Sequence, residues 1–553
     1  MIILVILVVL GTIFQGVAMF RSGWLYNYGV GYFGPLARDG VWHEALVNQL
    51  KLAIPPQNPG FAGHLMTNYH YFYDLLVAWL SQSSSISSLF LIYRLFPVVF
   101  SVLLGVGTYL LAQRLFKDKV ISLLSVFFAY FASSFGWVVS LIKHQPLGGE
   151  SAFWANQPVS MNLNPPYAIS LVILIFAIIL LELYLKNPNV IKGIVLSVAF
   201  GLLVGFKAYA GAIVLSALFF LTVKKIFFDK NFSLLPVFIL SAGIFLVIYF
   251  SISRGAAGLM MFQPLWLINT MIDAGDRVGI PDFTAKRFAY LGGHKWFNFG
   301  VIELISLAIF FVGNLGTRIV GFWGVGKKFF KEDLHLFIFL IMGASVVPAF
   351  LFVQKGNPWN VIQFFYYFLY FAGLYAANAL KKFPIFLLTA VVLITPISSI
   401  TTFHSWLYPN PPAYLPVGEY QALNFLKQQP MGMILKHPYN ASIKSNYKDP
   451  YLLSVYADNA YVSAFSGKPV FIEDVEQQIV LDTNYQGRLD EANRFFVEKN
   501  LNWSNQFLRA NNIRYIYLPK IYYLPMAEKE YTMTKIFENN DVNIYKVNLE
   551  KGL

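Results

Sequence analysis

Residues 37–44, Ala37-Arg38-Asp39-Gly40-Val41-Trp42-His43-Glu44, are the most informative stretch of the 553-residue chain. On a short helix Asp39 and His43 stand four apart, a spacing that lets both side chains face one cavity. Gly63-His64, Asn68-Tyr69-His70-Tyr71 and Asp74 follow. A carboxylate and three histidines so close in sequence suit proton transfer or ligand binding. Arg38, Trp42 and Tyr71 are the polar and aromatic residues expected to line such a cavity. The plain alternative is a polar interfacial loop whose aromatic rings sit among lipid headgroups. Taken singly, His64 or His70 is more simply a packing or hydrogen-bonding residue.

A second group lies in Gly201-Leu202-Leu203-Val204-Gly205-Phe206-Lys207-Ala208-Tyr209-Ala210-Gly211. A lysine flanked by so much apolar sequence is costly unless it meets water or an anion. Glycines here allow a break between two short spans, which would set the Lys207 ammonium at a turn. There it is a natural phosphate partner, a point charge with three donors; the simpler account is an interfacial lysine reaching for water. The segment 253–298 brings Arg254, Arg287, His294 and Lys295 near Trp266 and Trp296, and could close over a lipid-linked substrate; an interfacial amphipathic loop explains it equally. His144, Glu150 and Trp154 form a weaker set, with Glu150 as a second carboxylate. Lys355, Asn360 and Gln363 could line the same cavity.

The elements that position these residues follow from composition. Hydrophobic residues make up 57% of the chain, aromatic ones 18% and charged ones only 12%, with a mean hydropathy of +0.56. Soluble domains carry about a quarter charged residues, so a soluble enzyme, a disordered chain and a fibrous repeat are all excluded. Cysteine is absent, which removes disulfides and thiolate chemistry. The net charge of +13 would suit nucleic acid. However, residues 402–553 hold 15 basic and 15 acidic side chains, so the whole excess lies in the hydrophobic part. That is a membrane signature, and no nucleic-acid partner is expected.

A spanning helix needs about 20 mostly apolar residues. Eleven segments qualify, near 1–19, 89–115, 120–142, 167–185, 190–206, 208–223, 233–252, 299–316, 334–353, 361–380 and 384–401. The first has neither a cationic leader nor a small-residue cleavage site and reads as a retained anchor. Alternate connections carry Lys117 and Lys119; Lys186 and Lys192; Lys224, Lys225 and Lys230; Arg318, Lys327, Lys328 and Lys331; and Lys381 and Lys382. Lysine-rich short loops mark the cytoplasmic side, which places the N-terminus inside and the tail outside, with Arg21 an exception. The opposite connections are long, aromatic and rich in Gly, Pro, Asn and His, and long loops in compact proteins are usually functional. The expectation is a membrane domain over 1–401 and an extracytoplasmic α/β domain over 402–553. In the tail, helices are expected at Gly418–Gln428, Leu489–Phe496 and Trp503–Ala510, with strands at Met433–Leu435, Ile513–Leu518 and Val542–Val547.

A site on the outer face that opens sideways to lipid suits a substrate whose isoprenoid chain stays in the bilayer. A sugar on a polyprenyl phosphate carries its own leaving group. The phosphate needs positive charge rather than a proton, which Lys207 and a loop cation such as Arg287 or Lys295 could supply. The acceptor must lose a proton as it attacks, and a carboxylate, ionised at neutral pH, can take it.

With those residues in view, the chain resembles the GT-C membrane glycosyltransferases, particularly the branch around protein O-mannosyltransferases and lipid A aminoarabinose transferases. Arg38-Asp39-Gly40-Val41-Trp42-His43, with Asn68-Tyr69-His70-Tyr71 downstream, is similar to the first-loop pattern of bacterial and archaeal members. Gly201-Leu202 through Lys207 is similar to the branch's glycine-flanked lysine segment. The resemblance covers residues 1–401, and Tyr461–Pro469 is less specifically similar to related tails. It implies a GT-C-like polytopic α-helical fold, Asp39 at the catalytic-base position with His43 beside it, and Lys207 at the donor-phosphate position. The expected partners are a polyprenyl-phosphate-linked sugar, a glycan, lipid or protein acceptor, and the bilayer of a cell membrane. No second acidic residue adjoins Asp39, so no metal is expected to be required. The competing classes are a transporter or flippase of lipid-linked glycan, which would favour inverted repeats and broken mid-membrane helices, and a non-catalytic membrane scaffold.

Overall fold

A computed structural model describes residues 1–155, 157–253 and 260–548. Arg254 lies outside the described residues, as does the side chain of Lys328. Eight helices among the described residues are long and apolar enough to cross a membrane. They are Ile2–Arg21, Ser88–Phe116, Pro165–Lys186, Ala208–Phe227, Leu234–Ile252, Trp296–Gly324, Asp333–Leu351 and Ile385–Trp406. Lys119–Phe131 and Gly136–Ile142 form a ninth only if taken together, because the pair bends by 53°. The chain is a multi-pass membrane protein of mainly helical fold.

Eleven spans were expected, and each of the eleven segments is helical. Two fall short of a full crossing by length or composition. Val190–Phe206 has 17 residues, and Ile362–Leu380 is rich in tyrosine and buried along nearly its whole length. The segment 120–142 bends because Ala132 to Phe135 leave the helix, and 384–401 is interrupted at Thr395-Pro396 between Ile385–Ile394 and Ile397–Trp406, where proline removes a donor. Local capping sets several starts. Asp118 accepts from the backbone N–H groups of Val120 and Ile121, Asn189 from Lys192, and Asn164 from Tyr167 ahead of Pro165-Pro166. Leu234–Ile252 leaves Ile239, Val247 and Phe250 largely uncovered, a surface suited to lipid rather than water.

The chain divides into two compact units that are not contiguous in sequence. The first comprises residues 1–17 and 97–407. In it Ile362–Leu380 packs against Asp333–Leu351, Lys119–Phe131 and the turn Gly316–Gly324, and a short ribbon pairs Met260–Phe262 antiparallel with Phe352–Gln354.

The second unit joins residues 18–96 to residues 408–553. Its first sheet runs Trp24–Tyr26, Gly29–Tyr32, Ala413–Pro416 and Tyr451–Leu452, so two strands of the early loop pair with two of the tail. Its second sheet runs Met433–Lys436, Ile513–Pro519, Val542–Val547 and Met533–Glu538. The helices Val417–Gln428, Gln486–Phe495 and Leu501–Ala510 accompany the sheets, close to the expected elements. The core of this unit gathers Phe61 with Leu435, Phe471, Phe495 and Ile516. Asn48 donates to the carbonyl of Ala464, Asn68 to that of Leu481 and Arg488 to that of Ala62. The early loop is thus a folded part of the α/β unit, and the expected outer α/β domain has an N-terminal component.

Candidate functional site

The helix Asp39–Leu50 carries the first group of site residues. Asp39 is its first residue and is exposed, while Trp42 and His43 are buried. His43 is 6% exposed, and its Nδ1 lies 2.7 Å from Oδ1 of the fully buried Asp74, on the helix Phe72–Ser84. Burial raises the Asp74 carboxyl above the usual range, and the imidazole opposes that shift. Tyr73 meets the His43 ring edge-on. One residue further along, Glu44 accepts hydrogen bonds from the hydroxyls of Tyr32 and Tyr93, and burial pushes its carboxyl to about 7. Gly40 makes this possible, because a Cβ there would press on the Tyr93 hydroxyl.

The tail supplies acids that sequence reasoning did not place here. Arg38 forms an ion pair with Glu476. Tyr69, edge-on to Trp42, has its hydroxyl driven far above the usual range, by burial first and then by the charges of Asp74, Asp39 and Asp474. Asp474 accepts from the N–H of Gln477 and is itself pushed well up by burial and by Asp458. Asp39, Asp74 and Asp474 are therefore acidic neighbours of one tyrosine. His70 stacks on Tyr69 at 5.2 Å. Tyr71 is buried beside them, and His64 is exposed against Phe61. Of the expected residues, Arg38, Asp39, Trp42, His43, His70 and Tyr71 gather here, whereas His64 does not join. Among the described residues, no three His, Asp or Glu side chains are grouped to hold a metal ion.

In the other unit, Lys207 is the extended residue between the helices Val190–Phe206 and Ala208–Phe227, and it is 4% exposed. Its ammonium donates to Asn164 Oδ1 at 3.3 Å and lies 5.3 Å from the Tyr209 ring centre. Asn164 Nδ2 donates to Gln363 Oε1, and Gln363 donates on to Asn360. Tyr209 donates to Gln354 at 2.7 Å. The expected break at Lys207 is present, and the expected Asn360 and Gln363 belong to its network. Lys355 is exposed beside Gln354.

Glu150 opens the short turn Glu150–Phe153. Gly136 and Gly149 dock backbone to backbone, since a Cβ on either would collide with the other's carbonyl oxygen. That contact fixes the turn. Neither carboxyl oxygen of Glu150 is accessible or hydrogen-bonded among the described residues. Burial raises the group to about 8 despite the nearby Arg318 guanidinium. Trp154 at the end of the turn stacks on Trp359 at 4.5 Å, Trp266 meets Trp359 at 5.1 Å, and Arg277 lies 4.5 Å from the Trp154 ring centre. Trp359 went unmarked in the sequence, where its only signal was adjacency to Asn360. The turn Pro358–Val361 carries both residues, joining this aromatic platform to the Lys207 network.

Arg287 and Lys295 stand elsewhere. The Arg287 guanidinium is buried and shared between Glu303 at 2.6 Å and Asp273 at 2.7 Å, with Ser306 at 3.3 Å. Two acids already neutralise it, so its geometry is that of a structural ion cluster. Lys295 is exposed at the start of Trp296–Leu315.

No known family profile matches the chain and no curated protein matches it in sequence. Among solved structures, the chain is similar to the archaeal oligosaccharyltransferase AglB from Archaeoglobus fulgidus in complex with an inhibitory peptide and a dolichol-phosphate. The identity is 13%, covering 93% of this chain and 69% of that one, at a TM-score of 0.48. A form of the Archaeoglobus fulgidus enzyme tethered to an acceptor peptide gives 14% identity, 94% and 68% coverage, and 0.49. ArnT from Cupriavidus metallidurans bound to undecaprenyl phosphate gives 9% identity, 98% and 97% coverage, and 0.44.

Proposed function

We propose that this protein is a membrane glycosyltransferase of the GT-C type, moving a sugar with inversion from a polyprenyl-phosphate carrier to an acceptor. Lys207 carries this reading. It is a buried ammonium at the first turn of a helix, hydrogen-bonded to a carboxamide and set within apolar helices. A cation is costly in such surroundings, and a phosphate oxygen answers both the ammonium and the free N–H groups of a helix N-terminus. The resemblance of the Gly201–Lys207 segment to the donor-phosphate region of that family supports the same role.

In this reading the glycosyl C–O bond breaks as the acceptor oxygen or nitrogen attacks from the opposite face, and the polyprenyl phosphate departs without a proton. Asp39, at the start of its helix, accepts the acceptor's proton. His43, held by Asp74, positions that helix's polar face. Arg287 has no part in donor binding, since Asp273 and Glu303 engage it. The chemistry calls for no divalent metal. The lysine pattern of the alternate connections supports a cytoplasmic N-terminus and an α/β unit on the outer side of the cell membrane.

The test is incubation of the purified protein with a panel of polyprenyl-phosphate sugars, following released polyprenyl phosphate. Release from one or more donors, lost in Lys207→Ala, is expected. Failure to release carrier from any donor in the presence of glycan, lipid and peptide acceptors would refute the assignment.

A further inference from the structure

Within the unit formed by residues 18–96 and 408–553 lies a groove of about 660 Å³, in the size range of ligand sites. Four carboxamides line it, Gln49, Gln57, Asn512 and Asn548, together with two cations, Arg514 and Lys546. Its apolar wall comes from Leu52, Met431 and Met433. None of its described lining residues is acidic and none is aromatic.

More positive charge stands around this groove than lines it. Lys468 adjoins the lining residue Pro469 and is 2% exposed, with its ammonium donating to the carbonyl of Lys427 at 3.3 Å. Burial lowers its pKa, and the charges of Arg514 and Lys427 lower it further. Lys51, beside the lining Leu52, is likewise depressed by burial and by Lys427. Lys51, Lys427, Lys468, Arg514 and Lys546 thus crowd one region, and among the described residues none of them forms an ion pair with a carboxylate. The crowding is local, because residues 402–553 are balanced in charge. Like charges held together without a counterion raise the free energy of the empty groove, and an anion relieves it.

We infer that the groove binds an acidic polypeptide segment, its carboxylates meeting Arg514 and Lys546 and its backbone amides meeting the four carboxamides. Carboxamides offer donor and acceptor together, as a peptide backbone requires, and methionine walls adapt to varied side chains. Sugar rings would be expected to find an aromatic face to lie on, and the lining has none. This binding does not rest on the glycosyl-transfer reading.

The test uses the full-length protein in an uncharged detergent and a short fluorescein-labelled Asp/Glu peptide, followed by fluorescence anisotropy. Binding should weaken with added salt. The matching Asn/Gln peptide should bind far more weakly. Arg514→Gln with Lys546→Gln should weaken the acidic peptide about tenfold or more, the loss of at least one charged hydrogen bond. Lys546→Gln alone, at an exposed residue, should move affinity the same way. Absence of binding, equal binding of the two peptides, or indifference to these substitutions would overturn the proposal. Tighter binding of oligogalacturonate than of the acidic peptide would overturn the polypeptide assignment in favour of an acidic glycan.

Discussion

His43 Nδ1 and Asp74 Oδ1 stand 2.7 Å apart, joining two helices of the early loop through a pair shut away from solvent. The pair fixes which imidazole nitrogen faces the carboxylate, and with it the orientation of the ring. Replacing Asp74 with Ala leaves a buried imidazole without that partner, at a cost of about 1–3 kcal/mol. Thermal unfolding in detergent should show the loss, and Asp74→Ala combined with His43→Ala should cost less than the two single changes summed. Strict additivity would mean that the two side chains are not coupled.

Asp39→Asn keeps the size of the side chain and removes its basicity. Transfer should fall by about 10²–10⁴-fold, the usual contribution of a general base, while expression and binding of the lipid-linked sugar stay near wild type. Unchanged turnover would remove Asp39 from the mechanism.

Lys207→Ala should act on the donor. The apparent KM for the lipid-linked sugar should rise by about tenfold or more, the scale of one charge-assisted hydrogen bond, with the acceptor KM unmoved. An effect confined to the acceptor would contradict the phosphate role.

Arg287→Met should behave as a stability variant. Asp273 and Glu303 would be left facing each other without the cation that now bridges them, and removing one partner of a buried ion cluster costs about 3–5 kcal/mol. The expected result is a lower unfolding temperature with the donor KM of the surviving protein unchanged. A selective rise in donor KM at unaltered stability would restore Arg287 to the phosphate site.

Glu150 makes a prediction about pH. Its carboxyl is raised from 4.5 to about 8 in the folded protein, so the folded state holds this proton more tightly than the unfolded one. The stability it contributes is complete below about pH 4.5 and is lost as pH rises through about 8. Glu150→Gln should therefore flatten the decline of unfolding temperature over that interval relative to wild type. Parallel curves for the two proteins would mean that the carboxyl is not buried in the fold.

Several features were legible in the sequence for physical reasons. Apolar runs announce helices, so all eleven segments were located, and the break at Lys207 followed from a cation set between glycines. Alternation found the strands Ile513–Pro519 and Val542–Val547. The pairing of early loop with tail was not legible. Gly29–Tyr32 and Ala413–Pro416 are four-residue strands nearly four hundred residues apart, and neither advertises its partner. For the same reason Glu476 and Asp474 were invisible as neighbours of Arg38 and Tyr69. Arg287 misled because sequence shows a basic loop residue but not the two acids that fold onto it. Trp359 carried no pattern of its own, and only its stacking on Trp154 gives it meaning.

The discontinuous α/β unit has a consequence for biogenesis. Residues 18–96 leave the ribosome roughly three hundred residues ahead of the strands and acids that complete them, so the Arg38–His43 segment must wait, half assembled, while the helices between are inserted. Cutting the chain near residue 402 would not excise an accessory module. It would strip the opening segment of its sheet neighbours, and neither fragment should be recoverable as a folded product.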